Sequence, residues 1–480
     1  MSQEAAEGTA PLDPKSFTQL FLNGQYVTAQ NTETYSLKNP KDGSLVSDKL
    51  PIAGPADVDA AVRFAEEAFN GPWSRFTAIQ RTECFLKLAT LLDEELTPIL
   101  KLDSLTSGIP ISLAPVRERS YIRNCVLYYA GWTDKQKGDY FPAEDGKSTF
   151  PTKPCPSTDM AVSQALATGN VMIIKPSEKT PLGSLAVAPL FQKAGFPPGV
   201  LQVITGPGST GALLSEHMRI RKISFTGSVA TGKRIQVAAA QSNLKRVTLE
   251  LGGKSPAIVF EDANIDNAIT WTVNAILTRS GQLCVAASRV YLQESIAEEF
   301  IQKYKDKMKA AIDDMGDPQD PNVKLGPMVD QSQLERVKKM VDRGRSEAQL
   351  VVGGAQHGDT GCFMQPTVFL NPDDDAQVYR QEVFGPVSVI KTFATEEEAL
   401  RLANDTEYGL MSGVFTRDIS RALRFSSALE TGVVGVNCVS LQNMQTPFGG
   451  KKQSGIGREF GEYALRLYTE PKTVLINMAA

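Results

Sequence analysis

The sequence has only two histidines, His217 and His357, among its 480 residues. Histidine is the commonest ligand of transition metals and the usual general base beside a catalytic nucleophile. Its scarcity argues against most transition-metal sites, so we expect no metal, and it leaves little room for Ser-His-Asp or Cys-His catalysis. If a cysteine is the nucleophile, groups other than histidine must make its thiol reactive.

Paired cysteines, long apolar runs and a strong charge imbalance are also missing. The six cysteines form no Cys-X-X-Cys pair, which argues against a disulfide framework or zinc site and favours a cytoplasmic protein. No apolar run reaches the roughly 18 residues of a membrane span. The polar N-terminus has neither the apolar core of a secretory signal nor the arginine of a mitochondrial one. A net charge of −4 gives no reason to expect a nucleic acid or a membrane as partner.

The chain is too long for one ordinary core, so two or three domains are expected. From Val171 to Leu251, short β-rich runs alternate with helical stretches. This alternation predicts a parallel sheet with crossover helices. Farther along, residues 287–292 are predicted to form a strand and residues 295–313 an amphipathic helix. A second alternating set, between residues 331 and 437, predicts a second α/β domain.

Two glycine-containing segments carry the most informative chemistry. Cys284 ends the segment Ser280–Cys284, and Glu250 opens the segment Glu250–Lys254. A cysteine can hold a carbonyl carbon covalently, and a carboxylate can activate the water that later releases it. A cysteine beside glycine is, taken alone, more often a small buried apolar residue. The nucleophile hypothesis therefore depends on the surrounding motifs.

Two further motifs indicate a nucleotide. Gly227 and Gly232 lie five residues apart at a predicted strand-to-helix junction, where Ser228 can cap the helix. The free N–H groups there suit a pyrophosphate, although a plain capped helix is the alternative. Lys175 and Glu178 follow a predicted strand end, where open α/β sheets bind ligands. A carboxylate there can bind ribose hydroxyls and would repel a 2′-phosphate, which favours NAD while leaving NADP possible; two solvated surface charges are the alternative.

In these motifs the chain resembles the NAD(P)-dependent aldehyde dehydrogenase superfamily, from about Phe21 to Val474. Seven motifs occur in the order and approximate spacing of that family. They are Lys175–Glu178, Phe225–Ser228, Glu250–Lys254, Gly281–Cys284, Glu382–Pro386, Asn404–Leu410 and Pro447–Gly450.

The resemblance implies an α/β fold with a Rossmann-type cofactor domain, a second α/β catalytic domain and a small β oligomerisation part. The expected parts are a disordered lead-in (1–17), an NAD-binding domain (18–247, with an oligomerisation hairpin at 136–150 that is shortened near 146–160), a catalytic domain (248–444), a return to the NAD-binding domain (445–462) and an oligomerisation tail (463–480). A tail strand from Tyr468 to Ile476 would be an exposed edge in a monomer. A homodimer or homotetramer is therefore expected.

The resemblance also implies the reaction and its residues. The Cys284 thiolate would attack the aldehyde carbon to give a thiohemiacetal, hydride would pass to NAD, and Glu250 would activate water to hydrolyse the acyl-thioester. The presence of Glu250 favours hydrolysis over transfer of the acyl group to CoA. The implied contacts are Lys175 and Glu178 for the adenosine ribose; Gly227, Ser228 and Gly232 for the pyrophosphate and helix packing; Glu382 and Phe384 for the nicotinamide ribose and ring; and Leu283, Val285 and Phe448 for the substrate tunnel. Arg279, five residues before Cys284, is a surface or helix-end charge, or it attracts an acidic substrate or raises the thiolate fraction of Cys284.

One segment departs from the family pattern. Where the family carries Pro-Trp-Asn-Phe-Pro, whose asparagine forms the oxyanion hole with the N–H of the nucleophile, residues 146–160 contain no asparagine. They hold three prolines, which make a central strand improbable. Three explanations remain open: a damaged or misread gene segment, a divergent enzyme with another oxyanion donor, or a non-catalytic NAD-binding relative.

Overall fold

A computed structural model describes residues 11–113, 119–137, 147–148, 153–154, 162–474 and 476–477. The helices are α1 (Pro55–Asn70), α2 (Ala78–Ser107), α3 (Arg119–Ala130), α4 (Val162–Ala167), α5 (Leu182–Lys193), α6 (Gly208–Glu216), α7 (Val229–Gln241), α8 (Ile265–Leu277), α9 (Ala297–Ala310), α10 (Gln331–Glu347), α11 (Gln377–Arg380), α12 (Glu396–Asn404), α13 (Ile419–Ala428) and α14 (Gly461–Arg466). The strands are β1 (Leu20–Leu22), β2 (Gln25–Val27), β3 (Thr34–Lys38), β4 (Leu45–Pro51), β5 (Lys147–Ser148), β6 (Lys153–Pro154), β7 (Met172–Ile174), β8 (Leu201–Val203), β9 (Lys222–Thr226), β10 (Arg246–Glu250), β11 (Pro256–Val259), β12 (Arg289–Gln293), β13 (Gln349–Val352), β14 (Thr367–Leu370), β15 (Val387–Phe393), β16 (Met411–Phe415), β17 (Val433–Val436), β18 (Gly455–Ile456), β19 (Thr469–Glu470) and β20 (Ile476–Asn477).

The four predicted strands between residues 171 and 251 form two parallel pairs. β7 pairs with β8 in the sheet β2-β1-β8-β7, and β9 pairs with β10 in the sheet β18-β10-β9. In the β9–β10 register, Thr226 lies opposite Glu250. The carboxyl ends of these two strands therefore bring the 226–228 turn beside Glu250.

The sequence predicts one parallel sheet between Val171 and Leu251. In the part of the chain that the structure describes, these strands instead lie in two sheets, with β7 and β9 as outer strands of separate sheets. Tyr468 packs near the start of both strands. Its carbonyl accepts a hydrogen bond from Nδ2 of Asn170 at 2.8 Å, and Nζ of Lys222 lies 4.8 Å from its ring centroid. Most of the 146–160 segment, which departs from the family pattern, lies outside the described residues.

A separate sheet of seven strands follows the order β13-β14-β15-β12-β11-β16-β17. All its strand pairs are parallel except for the β13–β14 pair. Strands β11 and β16 are buried along their whole length, as parallel strands covered on both faces require. Helices α8 and α9 contribute the apolar residues that cover one face. The predicted α/β class is confirmed.

The predicted single tail strand from Tyr468 to Ile476 is wrong in its extent. Two separate two-residue strands occur instead: β19 pairs with β6, and β20 pairs with β5. In the predicted disordered lead-in, residues 1–10 lie outside the described ranges, whereas Pro14–Ser16 form a 3-10 turn and Phe17 is buried. Of the described helices, none has the length and apolar character needed to cross a membrane.

Candidate active site

Cys284 follows a left-handed turn that is held from two sides. Arg279, Ser280 and Gly281 have φ values of 52°, 55° and 70°, a backbone region that residues other than glycine rarely adopt. Oγ of Ser280 donates to the carbonyl of Gly326 at 2.6 Å. A Cβ on Gly281 would collide with the carbonyl of Gly385. Glycine is thus required here because the backbone of the nucleophile turn lies directly against the loop that carries Glu382.

Burial and carboxylates keep the Cys284 thiol protonated in this state. Desolvation is the largest cause that raises its pKa, to about 12, and Glu250, Glu382 and Glu459 add to the effect. Within the described residues, Cys284 is one of five cysteines without a disulfide. Formation of the Cys284 thiolate therefore requires a group at the site that accepts the thiol proton.

Glu250 ends β10 and is 5% exposed. Burial raises the pKa of its carboxyl to about 9, with a further contribution from Glu459 and an opposing one from Arg458. Its Oε2 has no hydrogen-bond partner among the described residues. An unpaired buried carboxyl oxygen is costly, so its presence beside a thiol indicates a functional position.

The segment Glu250–Lys254 brings the base, the nucleophile and a second carboxylate together. A Cβ on Gly252 would collide with the carboxylate of Glu382, and a Cβ on Gly253 would collide with the Cys284 carbonyl. The N–H of Gly253 donates to Oε1 of Glu382 at 3.0 Å. The two glycines are what allow these groups to approach so closely.

The loop with Glu382 and Phe384 is fixed by two side chains that sequence reasoning missed. Arg336 Nη2 donates to the Glu382 carbonyl at 2.8 Å, and Gln333 Nε2 donates to the Phe384 carbonyl at 2.8 Å. Phe384 has φ 56°, so its backbone depends on this support. Burial raises the pKa of Glu382, while the Gly253 N–H, Arg336 and Lys254 oppose that increase. No local motif marks Gln333 or Arg336, because both bond to backbone carbonyls.

The residues predicted to hold the pyrophosphate lie at the start of α7. The N–H of Gly227 donates to the carbonyl of Glu250 at 3.0 Å, and Oγ of Ser228 accepts from the N–H of Thr231 at 3.3 Å. A Cβ on Gly232 would lie 2.8 Å from the Leu251 side chain. A capped helix of 13 residues with a glycine at its approach fits an anion such as a pyrophosphate.

The residues predicted to bind the adenosine ribose lie together after β7. Nζ of Lys175 donates to the carbonyls of Pro176 and Gly206 and lies 3.8 Å from Oε2 of Glu178. A cleft of about 270 Å³ continues from this segment toward Phe384. Its lining residues are Ser107, Ile109, Ser177, Lys179, Arg279, Gln282, Val329, Gln333 and Phe384. Arg279 therefore lines this cleft.

The predicted tunnel residues Leu283, Val285 and Phe448 belong to one apolar cluster with Cys284. Two aromatic residues in it were missed by sequence reasoning. Tyr121 packs edge-to-face on Phe460 and Phe448 packs at a tilt on the same ring, each with centroids 6.1 Å apart. Neither position carries a signal beyond its aromatic character. In the described ranges, no group of three or more His, Cys, Asp or Glu is placed to hold a metal ion.

Comparison with known proteins gives a consistent result. The pattern of the family described as "Aldehyde dehydrogenase family" matches residues 26–474. An aldehyde dehydrogenase of Agaricus bisporus is 39% identical, with 96% of this chain and 95% of the relative covered. The "Aldehyde dehydrogenase, cytosolic 1" of Rattus norvegicus is 39% identical over the same shares. The NAD+ complex of a Bacillus cereus aldehyde dehydrogenase superposes with a TM-score of 0.93 at 36% identity, covering 96% of this chain and 98% of that one.

Proposed function

The chain belongs to the aldehyde dehydrogenase family, and we propose that it oxidises an aldehyde to a carboxylic acid with NAD through Cys284 as nucleophile and Glu250 as general base. The strongest support is the buried site in which Cys284, Glu250 and Glu382 meet around Gly253. Nothing in the fold, the site or the related proteins favours the non-catalytic alternative.

The first chemical requirement is loss of the Cys284 proton, because the thiolate is the form that attacks the aldehyde carbon. Glu250 is the group that can take this proton, since it raises the Cys284 pKa and therefore lies within electrostatic reach of the thiol. Its own pKa of about 9 means that its base form grows as the pH rises. Glu250 must then release this proton to solvent, and the regenerated carboxylate takes a proton from the water that hydrolyses the acyl-thioester on Cys284.

NAD, when bound, accepts the hydride from the substrate carbon. The chain's own contribution is to hold the cofactor and to exclude water. The capped start of α7, with Gly227, Ser228 and Gly232, would hold the pyrophosphate. Lys175 and Glu178 would contact the adenosine ribose, and Glu382 and Phe384 would hold the nicotinamide ribose and steady the ring.

The aldehyde is expected to be apolar. Leu283, Val285 and Phe448, together with the rings of Tyr121 and Phe460, form an aromatic and aliphatic wall beside Cys284. An apolar wall gains free energy from apolar substrate surface. Arg279 lines the neighbouring cleft and lies within electrostatic reach of Tyr121 in this wall.

We propose further that the protein is a cytoplasmic homodimer or homotetramer. β17 pairs only with β16 among the described residues, and Val436 at its end is exposed. An unpaired aliphatic edge is a liability in a monomer. A monomer at micromolar concentration in light scattering would contradict the assembly. The cytoplasmic location is supported by cytosolic relatives and by the unpaired cysteines.

The test is NADH formation by the purified chain with short, long and aromatic aldehydes, alongside Cys284→Ala. We expect turnover that is fastest with apolar aldehydes and falls by at least ~10³-fold in the variant. A folded protein that binds NAD but turns over no aldehyde would overturn the catalytic assignment. Turnover that survives in Cys284→Ala would overturn the role of that residue alone.

A further inference from the structure

Lys254 is a buried lysine in the active-site segment to which the proposed reaction assigns no role. It is 1% exposed, and lysine is rarely buried unless it is paired. Burial lowers the pKa of its amine to about 7, with a smaller contribution from Arg289 in the same direction and an opposing one from Glu382. Burial of the Lys254 amine costs stability, so the contacts of this amine indicate what the residue does.

The amine of Lys254 bonds to the short helix that precedes the cofactor loop. Nζ donates to the carbonyl of Val378 at 2.8 Å, and Val378 lies in α11 with no exposed surface. α11 ends at Arg380, two residues before Glu382. A shift of α11 would therefore move Glu382 directly.

The backbone of Lys254 is itself held firmly. Its carbonyl accepts a hydrogen bond from Nε of Arg289 at 2.8 Å. The guanidinium of Arg289, also 1% exposed, donates further to Tyr291 Oη and to the carbonyls of Leu402 and Ala403. Because Arg289 begins β12 in the seven-stranded sheet, Lys254 links α11 to the rigid centre of that sheet.

The neighbouring residue provides the second half of the connection. Gly253 donates its N–H to Glu382, so residues 253 and 254 hold the cofactor loop at its carboxylate and at the helix before it. We propose that Lys254 is a positioning residue for the cofactor: its bond to Val378 sets α11 so that Glu382 and Phe384 meet the nicotinamide ribose and ring. This inference rests on the proposed function, in which those two residues contact NAD.

Without a donor at position 254, the buried Val378 carbonyl loses this partner and α11 can move to recover one. A misplacement of about 1 Å can lower the rate of an enzymatic reaction by up to ~10²-fold. We expect Lys254→Met to weaken NAD binding by about tenfold. On the proposed function, hydrolysis of 4-nitrophenyl acetate would use Cys284 and Glu250 but no NAD, so its rate should fall by less than the NAD affinity does.

The experiment measures NAD affinity by calorimetry and ester hydrolysis without NAD, for wild type, Lys254→Met, Lys254→Gln and Glu382→Gln. Lys254→Gln retains an N–H donor, so its NAD affinity should fall between wild type and Lys254→Met. Lys254→Gln also provides the test if Lys254→Met does not fold.

If Glu382→Gln weakens NAD binding while both Lys254 variants bind NAD as wild type does, the positioning role of Lys254 is wrong. If Glu382→Gln itself leaves NAD affinity unchanged, the proposed cofactor contact fails instead. Equal loss of ester hydrolysis and NAD binding in the Lys254 variants would show general structural damage and would also overturn the proposal.

Discussion

Gly253 donates its N–H to Oε1 of Glu382 over 3.0 Å, and the position that its Cβ would take is occupied by the Cys284 carbonyl. One backbone position thus fixes the spacing between the proposed nucleophile and the proposed nicotinamide-ribose contact. The hydrogen bond also lowers the pKa of Glu382 against the effect of burial. Any side chain at residue 253 must separate these groups.

Gly253→Ala should therefore damage catalysis more than folding. Its methyl group would collide with the Cys284 carbonyl and displace the nucleophile. We expect kcat with an apolar aldehyde to fall by about 10²-fold, because small displacements of reacting groups are costly. Gly208→Ala is the matched control, since a Cβ there meets no atom within 4 Å. Equal activity of the two variants would contradict the proposed role of Gly253.

Much of the fold could be predicted because alternating strands and helices leave a clear pattern in the sequence. The sequence pattern predicts a helix from about Val229 to Ser242, and the structure has one at Val229–Gln241. It also predicts a strand from Arg246 to Leu251, and the structure has one at Arg246–Glu250. β11 and β15 were missed. β11 has four fully buried residues and starts at a proline, so neither alternation nor length marks it as a strand.

The site could be predicted only where a motif records it. Cys284 and Glu250 lie in glycine-containing segments, and the structure brings them into electrostatic contact. Gln333, Arg336 and Lys254 all bond to backbone carbonyls of the 378–384 region. Such contacts are set by tertiary packing and need no particular sequence beside them. The prolines in residues 146–160 made a central strand improbable there, and in the described residues β7 and β9 are the outer strands of two separate sheets.

Glu250→Gln should slow both formation of the acyl-enzyme and release of the acid, because Glu250 is proposed to take a proton in each step. Glutamine cannot take a proton from water, and general-base catalysis is worth about 10²–10⁴-fold. We expect steady-state NADH formation to fall by that factor. In wild type, both steps in which Glu250 takes a proton should accelerate as the pH rises toward 9, because burial raises the Glu250 pKa to about 9 and the base form increases with pH. An unchanged alkaline rise in the variant would assign the titration to another group.

The same substitution should change how stability depends on pH. The Glu250 pKa is raised from 4.5 to about 9 on folding, so the native state binds more protons than the unfolded state between these values. Its contribution to stability is complete below about pH 4.5 and is lost as the pH rises through 9. Because a tenfold change in proton affinity corresponds to roughly 1.4 kcal/mol, this loss of stability has an upper limit of roughly 6 kcal/mol.

Glutamine does not titrate, so Glu250→Gln should be more stable than wild type at pH 9.5, with a difference that shrinks toward pH 5. Urea unfolding midpoints of both proteins across this range test the prediction. Other titrating groups are common to both proteins and cancel in the comparison. Parallel curves for the two proteins would show that Glu250 has an ordinary pKa in the native state.

The departure at residues 146–160 should determine which step limits turnover. This segment lacks the oxyanion-hole asparagine that the family resemblance implies, and loss of one oxyanion donor typically slows the chemistry by about 10²–10³-fold. The step that breaks the aldehyde C–H bond passes through that oxyanion, whereas cofactor release does not. We therefore expect hydride transfer to be rate-limiting.

Aldehyde deuterated at C1 should then react with a lower kcat than unlabelled aldehyde, since the labelled bond breaks in the slow step. Hydrolysis of 4-nitrophenyl acetate breaks no such bond and reports on Cys284 and Glu250 without hydride transfer. A comparison of NADH formation with both aldehydes, under saturating NAD, measures the effect directly. Equal rates would place the slow step at thioester hydrolysis or cofactor release and would contradict a rate-limiting hydride transfer.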